Sequence, residues 1–83
     1  MLNDFIGGYS IMPSKYPVLK PQEIIKALSK VNYVFVKQKG SHMKYSDRTH
    51  VVIIPNHNEI AKGTLRGILQ QADMDIDEFL KLL

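Results

Sequence analysis

The residues able to do chemistry are concentrated in Lys37-Gln38-Lys39-Gly40-Ser41-His42-Met43-Lys44-Tyr45. Histidine is the one side chain whose unperturbed pKa lets it both accept and release a proton near neutral pH. With fixed positive charge around it, His42 has what metal-free cleavage of a phosphodiester requires, a proton carrier and cations to hold the phosphate. In that chemistry His42 deprotonates a ribose 2′-hydroxyl, which attacks the adjacent phosphorus and leaves a 2′,3′-cyclic phosphate and a 5′-hydroxyl. On an extended strand His42, Lys44 and Ser46 share a face, because side chains repeat every two residues. Lys44 is therefore the candidate to hold the scissile or a neighbouring phosphate, with Lys37 and Lys39 tracking the backbone. Ser41 either hydrogen-bonds a phosphate or shapes the turn. Gly40 supplies the positive φ a hairpin turn needs.

Other candidates stand further off. Tyr45 falls on the face opposite His42 and reads as core. Tyr33 and Phe35 could stack on a base, but packing under a helix is the plainer expectation. His50 and His57 lie eight and seven residues apart from their neighbouring histidines, a spacing that matches no compact zinc pattern, and there is no cysteine. The expectation is thus no metal and no cofactor. Lys62 and Arg66, four apart, share a helix face and could touch RNA.

With 83 residues, the chain is near the lower limit for one unstapled core. Without cysteine, disulfides and thiolate sites are excluded. No apolar run approaches the roughly 20 residues of a membrane helix, and Met1-Leu2-Asn3-Asp4-Phe5 lacks the basic start of a secretory signal. A soluble cytoplasmic protein, with no membrane and no small-molecule cofactor, is the expectation. Net charge is +3 but unevenly placed. Residues 37–66 carry six cations against Asp47 and Glu59, whereas residues 67–83 carry four acids against Lys81. The basic middle coincides with His42 and favours a polyanionic partner.

Gly7-Gly8, Pro13 and Pro17 interrupt any regular element near the start. Residues 1–16 read as a loosely ordered extension; the alternative is that Phe5, Ile6, Tyr9 and Ile11 pack on an exposed edge or a partner. Residues 17–83 read as a single domain. Pro21 and Glu23 start a helix over roughly 21–31, with an apolar stripe of Ile24, Leu28 and Val31 and a left-handed cap at Asn32. Three strand-like runs follow: 33–38, then 42–46, then 50–54 closed by Pro55, with turns at 39–41 and 47–49. Leu65, Ile68, Leu69 and Ala72 mark a second helix from about Lys62. Asp75 and Glu78 form a capping box for a short third.

This α-β-β-β-α order with an extra short helix predicts an α+β domain of the double-stranded-RNA-binding shape. A three-stranded antiparallel sheet has its helices on one face and the other face open. At this point the chain resembles the HicA toxins, also called YcfA-like proteins. The resemblance runs from about Pro17 to Leu83, through Ile24-Ile25-Lys26-Ala27-Leu28, Gln38-Lys39-Gly40-Ser41-His42, Val52-Ile53-Ile54-Pro55 with His57, and Lys62-Gly63-Thr64-Leu65-Arg66-Gly67-Ile68-Leu69. It implies the same fold, cleavage of messenger RNA by an mRNA interferase, a HicB-type antitoxin as partner, and His42 as catalytic histidine. Lys62 and Arg66 could then meet the antitoxin instead of RNA, and an antitoxin would offer carboxylates to Lys37, Lys39 and Lys44. Asn32 and Asp73 stand where the family usually has glycine, departures that touch helix ends and not the chemistry. A noncatalytic RNA-binding module is the alternative, and an interaction module docking through the tail from Met74 to Leu83 is a third.

Overall fold

The structure is a computed structural model and describes residues 15–83. The expectations for residues 1–14 lie outside the described residues. Lys15 and Tyr16, which close that stretch, are described: Lys15 Nζ ion-pairs with Asp77 at 3.2 Å, and Tyr16 packs against the core.

Six elements follow in the order α1 (Pro21–Ser29), β1 (Val34–Lys39), β2 (His42–Ser46), β3 (Val51–Pro55), α2 (Lys62–Gln71) and α3 (Ile76–Leu80). The strands form one antiparallel sheet in the order β1-β2-β3, so the expected α+β architecture is what the chain adopts. Local chemistry explains the boundaries. Pro21 opens α1 at a position that has no hydrogen bond to lose, and the Glu23 carboxylate accepts from the Lys20 backbone N–H at 2.8 Å. The helix stops two residues short of the expected Val31. Lys30, Val31 and Asn32 instead make a turn in which Asn32 takes φ 74°. Asp75 accepts from the Asp77 backbone N–H at 2.7 Å while Glu78 accepts from the Asp75 backbone N–H at 3.1 Å, the reciprocal cap that starts α3.

The sheet has two unlike faces. Met43 on β2 and Val52 and Ile54 on β3 are buried against Ile24, Ala27 and Leu28 of α1, Leu65, Ile68 and Leu69 of α2, and Phe79 of α3. Each fully buried aliphatic or aromatic side chain there contributes about 1.5–3 kcal/mol. Ile60, the other half of an isolated bridge to Leu19, closes the core beside α2. The free edge of β3 is covered in part by Gln71, whose Oε1 accepts from the Ile53 backbone N–H at 2.9 Å. The opposite face carries His42, Lys44 and Ser46 of β2, and no helix of the described residues packs on it.

β1 departs from simple alternation. Phe35 pairs with Tyr45 and Lys37 with Lys44, leaving Val36 as an extra, bulged residue. Counting alternately from Phe35, which lies over the inner row with Tyr45, would place Lys37 and Lys39 on the helix-covered face. The bulge shifts the phase by one and sends both lysines to the open face. It also changes the expectation for Phe35. Read as core, it is 54% exposed, because β1 is an edge strand that packs chiefly against β2 rather than against a helix; its ring meets Tyr45 edge-on at 5.6 Å.

Candidate functional site

The open face is a grid of three cross-strand rows fixed by the pairing. The first row is Lys39, His42 and Pro55; the second is Lys37, Lys44 and Ile53; the third is Val34, Ser46 and Val51. The first two rows and the β1–β2 turn line a shallow cavity of about 960 Å³ formed by Lys37, Lys39, Gly40, Ser41, His42, Lys44 and Ile53. Every residue the sequence placed in the catalytic stretch for proton transfer, phosphate binding or the turn is therefore brought together here. Ile53, the half-buried floor, was not foreseen. The signal for it was available, since Val52 and Ile54 face inward and the residue between them must face Lys44.

The turn that delivers His42 is tight. Lys39 and His42 are paired, so Gly40 and Ser41 alone reverse the chain, and Gly40 takes φ 58°. The expected turn residue Lys39 is thus the last residue of β1. Gln38 Nε2 donates to the Gly40 carbonyl at 2.8 Å, and the Asn56 backbone N–H donates to the Ser41 carbonyl at 2.6 Å. These bonds tie the turn to its own strand and to the loop after β3. The Ser41 hydroxyl and the His42 imidazole have no hydrogen-bond partner among the described residues, and His42 is exposed.

Electrostatically the cavity is one-sided. Lys37 stands directly opposite Lys44, and Lys39 directly opposite His42. Like charges across strands destabilise a sheet, and none of these lysines belongs to either ion pair among the described residues. No carboxylate lies in the three rows. An anion is what relieves this arrangement. The donor set of one imidazole, one hydroxyl and three ammonium groups suits a phosphate and repels a metal cation.

The other histidines and cations lie elsewhere. His50 sits in the β2–β3 turn at the far end of the strands, its Nδ1 3.6 Å from Asp47 Oδ2. His57 is exposed in the loop just beyond Pro55 and does not line the cavity. Lys62 and Arg66 are exposed on α2, in the helix layer behind the sheet, and do not line it either. Among the described residues no group of three His, Asp or Glu side chains could hold a metal ion, and no helix is long and apolar enough to cross a membrane.

Fold and site together define a small α+β domain whose open sheet face presents a histidine among three lysines in a shallow cleft. Residues 21–74 match the family of HicA toxins of bacterial toxin–antitoxin modules, and the chain belongs to that family. The matched segment begins at the first residue of α1 and contains the whole sheet and α2. Among curated proteins none matches the chain. Membership makes it a toxin with an antitoxin as its partner.

Proposed function

We propose that this toxin is an endoribonuclease that cuts messenger RNA in the cytoplasm without a metal ion, and that a HicB-type antitoxin holds it in check. The observation that carries the reading is the exposed His42 among Lys37, Lys39 and Lys44, on a face whose three rows contain no acid among the described residues. RNA laid along the open face sets a phosphate among the ammonium groups and an adjoining ribose beside the imidazole.

His42 takes the proton from the 2′-hydroxyl as the O2′–P bond forms. The lysines hold the non-bridging oxygens while charge grows on them. The P–O5′ bond then breaks, the 5′-oxygen acquires a proton from the solvent that bathes this open face, and a 2′,3′-cyclic phosphate remains. Because the nucleophile belongs to the substrate, an imidazole suffices and no metal-activated water is needed. Several phosphate contacts make the binding fall steeply with added salt.

The test is incubation of the purified protein with RNA in EDTA, beside His42→Ala and beside an RNA carrying a single 2′-deoxynucleotide at the cut site. Cleavage should survive the chelator, vanish with His42→Ala and stop at the deoxy position. Binding without cleavage by the wild-type protein would make it a noncatalytic RNA-binding module instead.

A further inference from the structure

The third row of the open face is chemically unlike the other two. Val34 is 63% exposed and Val51 49% exposed, and they flank Ser46 in the last row of the open face, at the end of the strands away from His42. Ser46 is not a free hydroxyl. Its Oγ donates to the His50 carbonyl at 2.8 Å and accepts from the Arg48 backbone N–H at 3.0 Å. The row therefore has no side-chain donor left for a phosphate oxygen. Nor has it a ring for a base to stack on, since the aromatic residues of the strands, Phe35 and Tyr45, lie on the inner row. Protein surfaces that grip single-stranded RNA use such rings together with cations. RNA gains little from this row; an apolar protein surface gains by covering it.

Resting on the toxin–antitoxin reading above, we infer that the row Val34–Ser46–Val51 is contacted by the antitoxin and not by the RNA. The antitoxin segment that lies on the open face is then acidic over the His42 end and aliphatic over this end. Charge complementarity selects that occupant. Lys37, Lys39 and Lys44 require carboxylates from whatever protein covers them, and Ile53 continues the apolar surface from Val51 to the edge of the cavity. A second copy of this chain docked by the same face would set three lysines against three lysines. The consequence is a divided surface: both partners compete for the cationic rows, and the antitoxin alone uses the aliphatic one.

The experiment replaces both valines with neutral polar residues, Val34→Gln with Val51→Gln, leaving the charge seen by RNA unchanged. The variant is measured for RNA cleavage and for binding to the co-expressed antitoxin of its own module. Cleavage should stay within about twofold of wild type while the antitoxin dissociation constant rises at least about tenfold. Cells making both proteins should then lose protection. Unchanged antitoxin affinity overturns the inference, as does cleavage that falls in step with affinity, or loss of a self-association that sedimentation detects in the wild type. Should the glutamines prevent folding, Val34→Thr with Val51→Thr keeps the β-branched shape and the same outcomes apply. A wild-type protein that binds the antitoxin yet cuts no RNA removes the nuclease reading, and the affinity loss still decides this one.

Discussion

Two hairpin turns of the sheet each hand a histidine to the strand that follows, and they treat it oppositely. At the β1–β2 turn, Gly40 and Ser41 present His42 with an exposed imidazole that has no partner among the described residues, with Lys39 directly across the strands on one side and Pro55 on the other. At the β2–β3 turn, His50 is enclosed by structure. Its backbone N–H donates to Asp47 Oδ1 at 2.6 Å, its carbonyl accepts from Ser46 and from the Asp47 backbone N–H, and its Nδ1 faces Asp47 Oδ2. The β2–β3 turn bonds the Ser46 and Asp47 side chains to its own backbone, whereas the Ser41 hydroxyl and the His42 imidazole have no partner among the described residues. Residue type alone does not tell these two histidines apart; the company each keeps does.

The largest effect should come from breaking this difference at its centre. His42→Ala should lower RNA cleavage by about 10²–10⁴-fold, the usual contribution of a positioned acid or base. Its thermal stability should change little, because the exposed ring makes no contact that holds the fold. His50→Ala keeps the backbone bonds that His50 makes in its turn, so it should change stability by no more than a surface substitution does and leave cleavage within about threefold of wild type. Equal losses of cleavage in both variants would dissolve the contrast.

Next in size is the backbone of the β1–β2 turn. Gly40 at φ 58° meets nothing within 4 Å of where a Cβ would stand, so Gly40→Ala tests conformation and not space. A left-handed alanine should cost about 1–2 kcal/mol, read as a lower unfolding midpoint, and should also slow cleavage as the turn relaxes and His42 moves relative to Lys39. Gly40→Asn, which tolerates that region better, should recover part of both.

Much of this contrast was legible before any coordinates, because its signals are local. Gly40 between a lysine-bearing strand and an alternating one marks a hairpin. Pro21 and the pair Asp75 and Glu78 mark helix starts. Met43 and Tyr45 against His42 and Lys44 fix which side of β2 faces water. What was not legible is non-local or phase-dependent. The Val36 bulge leaves no trace in composition, and without it the parity of Lys37 and Lys39 relative to Phe35 points the wrong way. Phe35 looks like core until its strand turns out to lie at the sheet edge, packed chiefly against β2. Lys62 and Arg66 share a helix face whatever the fold, and only the packing of α2 behind the sheet separates them from the cleft.

A smaller effect sharpens the electrostatic half of the comparison, because activity and stability should move in opposite directions. Lys37→Gln removes one of two ammonium groups held directly across the strands from each other. At low salt the variant should be slightly more stable, by about 0.2–1 kcal/mol, the range for cross-strand pairs. RNA binding should weaken, with a salt dependence shallower by nearly one phosphate contact. The stability gain should fade as salt screens the pair. A variant that loses both stability and affinity would mean that Lys37 is held by contacts other than repulsion.

The smallest effect tests the structural turn. The Asp47 carboxyl is held below its ordinary value of 3.8, first by the backbone N–H of His50, then by that of Thr49, with the His50 imidazole adding to it. A carboxylate whose folded pKa is depressed contributes stability that is present above its unfolded pKa and is lost as pH falls through the folded value. The contribution should therefore be intact at about pH 6 and decline below about pH 4. Asp47→Asn keeps an oxygen to accept both N–H groups but cannot carry the charge. Its stability deficit against wild type should be visible at pH 6 and shrink toward pH 3, while a deficit constant across that range would assign the turn's strength to shape alone. The same substitution has a second readout. Burial raises the Tyr33 hydroxyl above 10.0 and the Asp47 charge raises it further, so Asp47→Asn should bring its titration only partway back, burial being the larger cause.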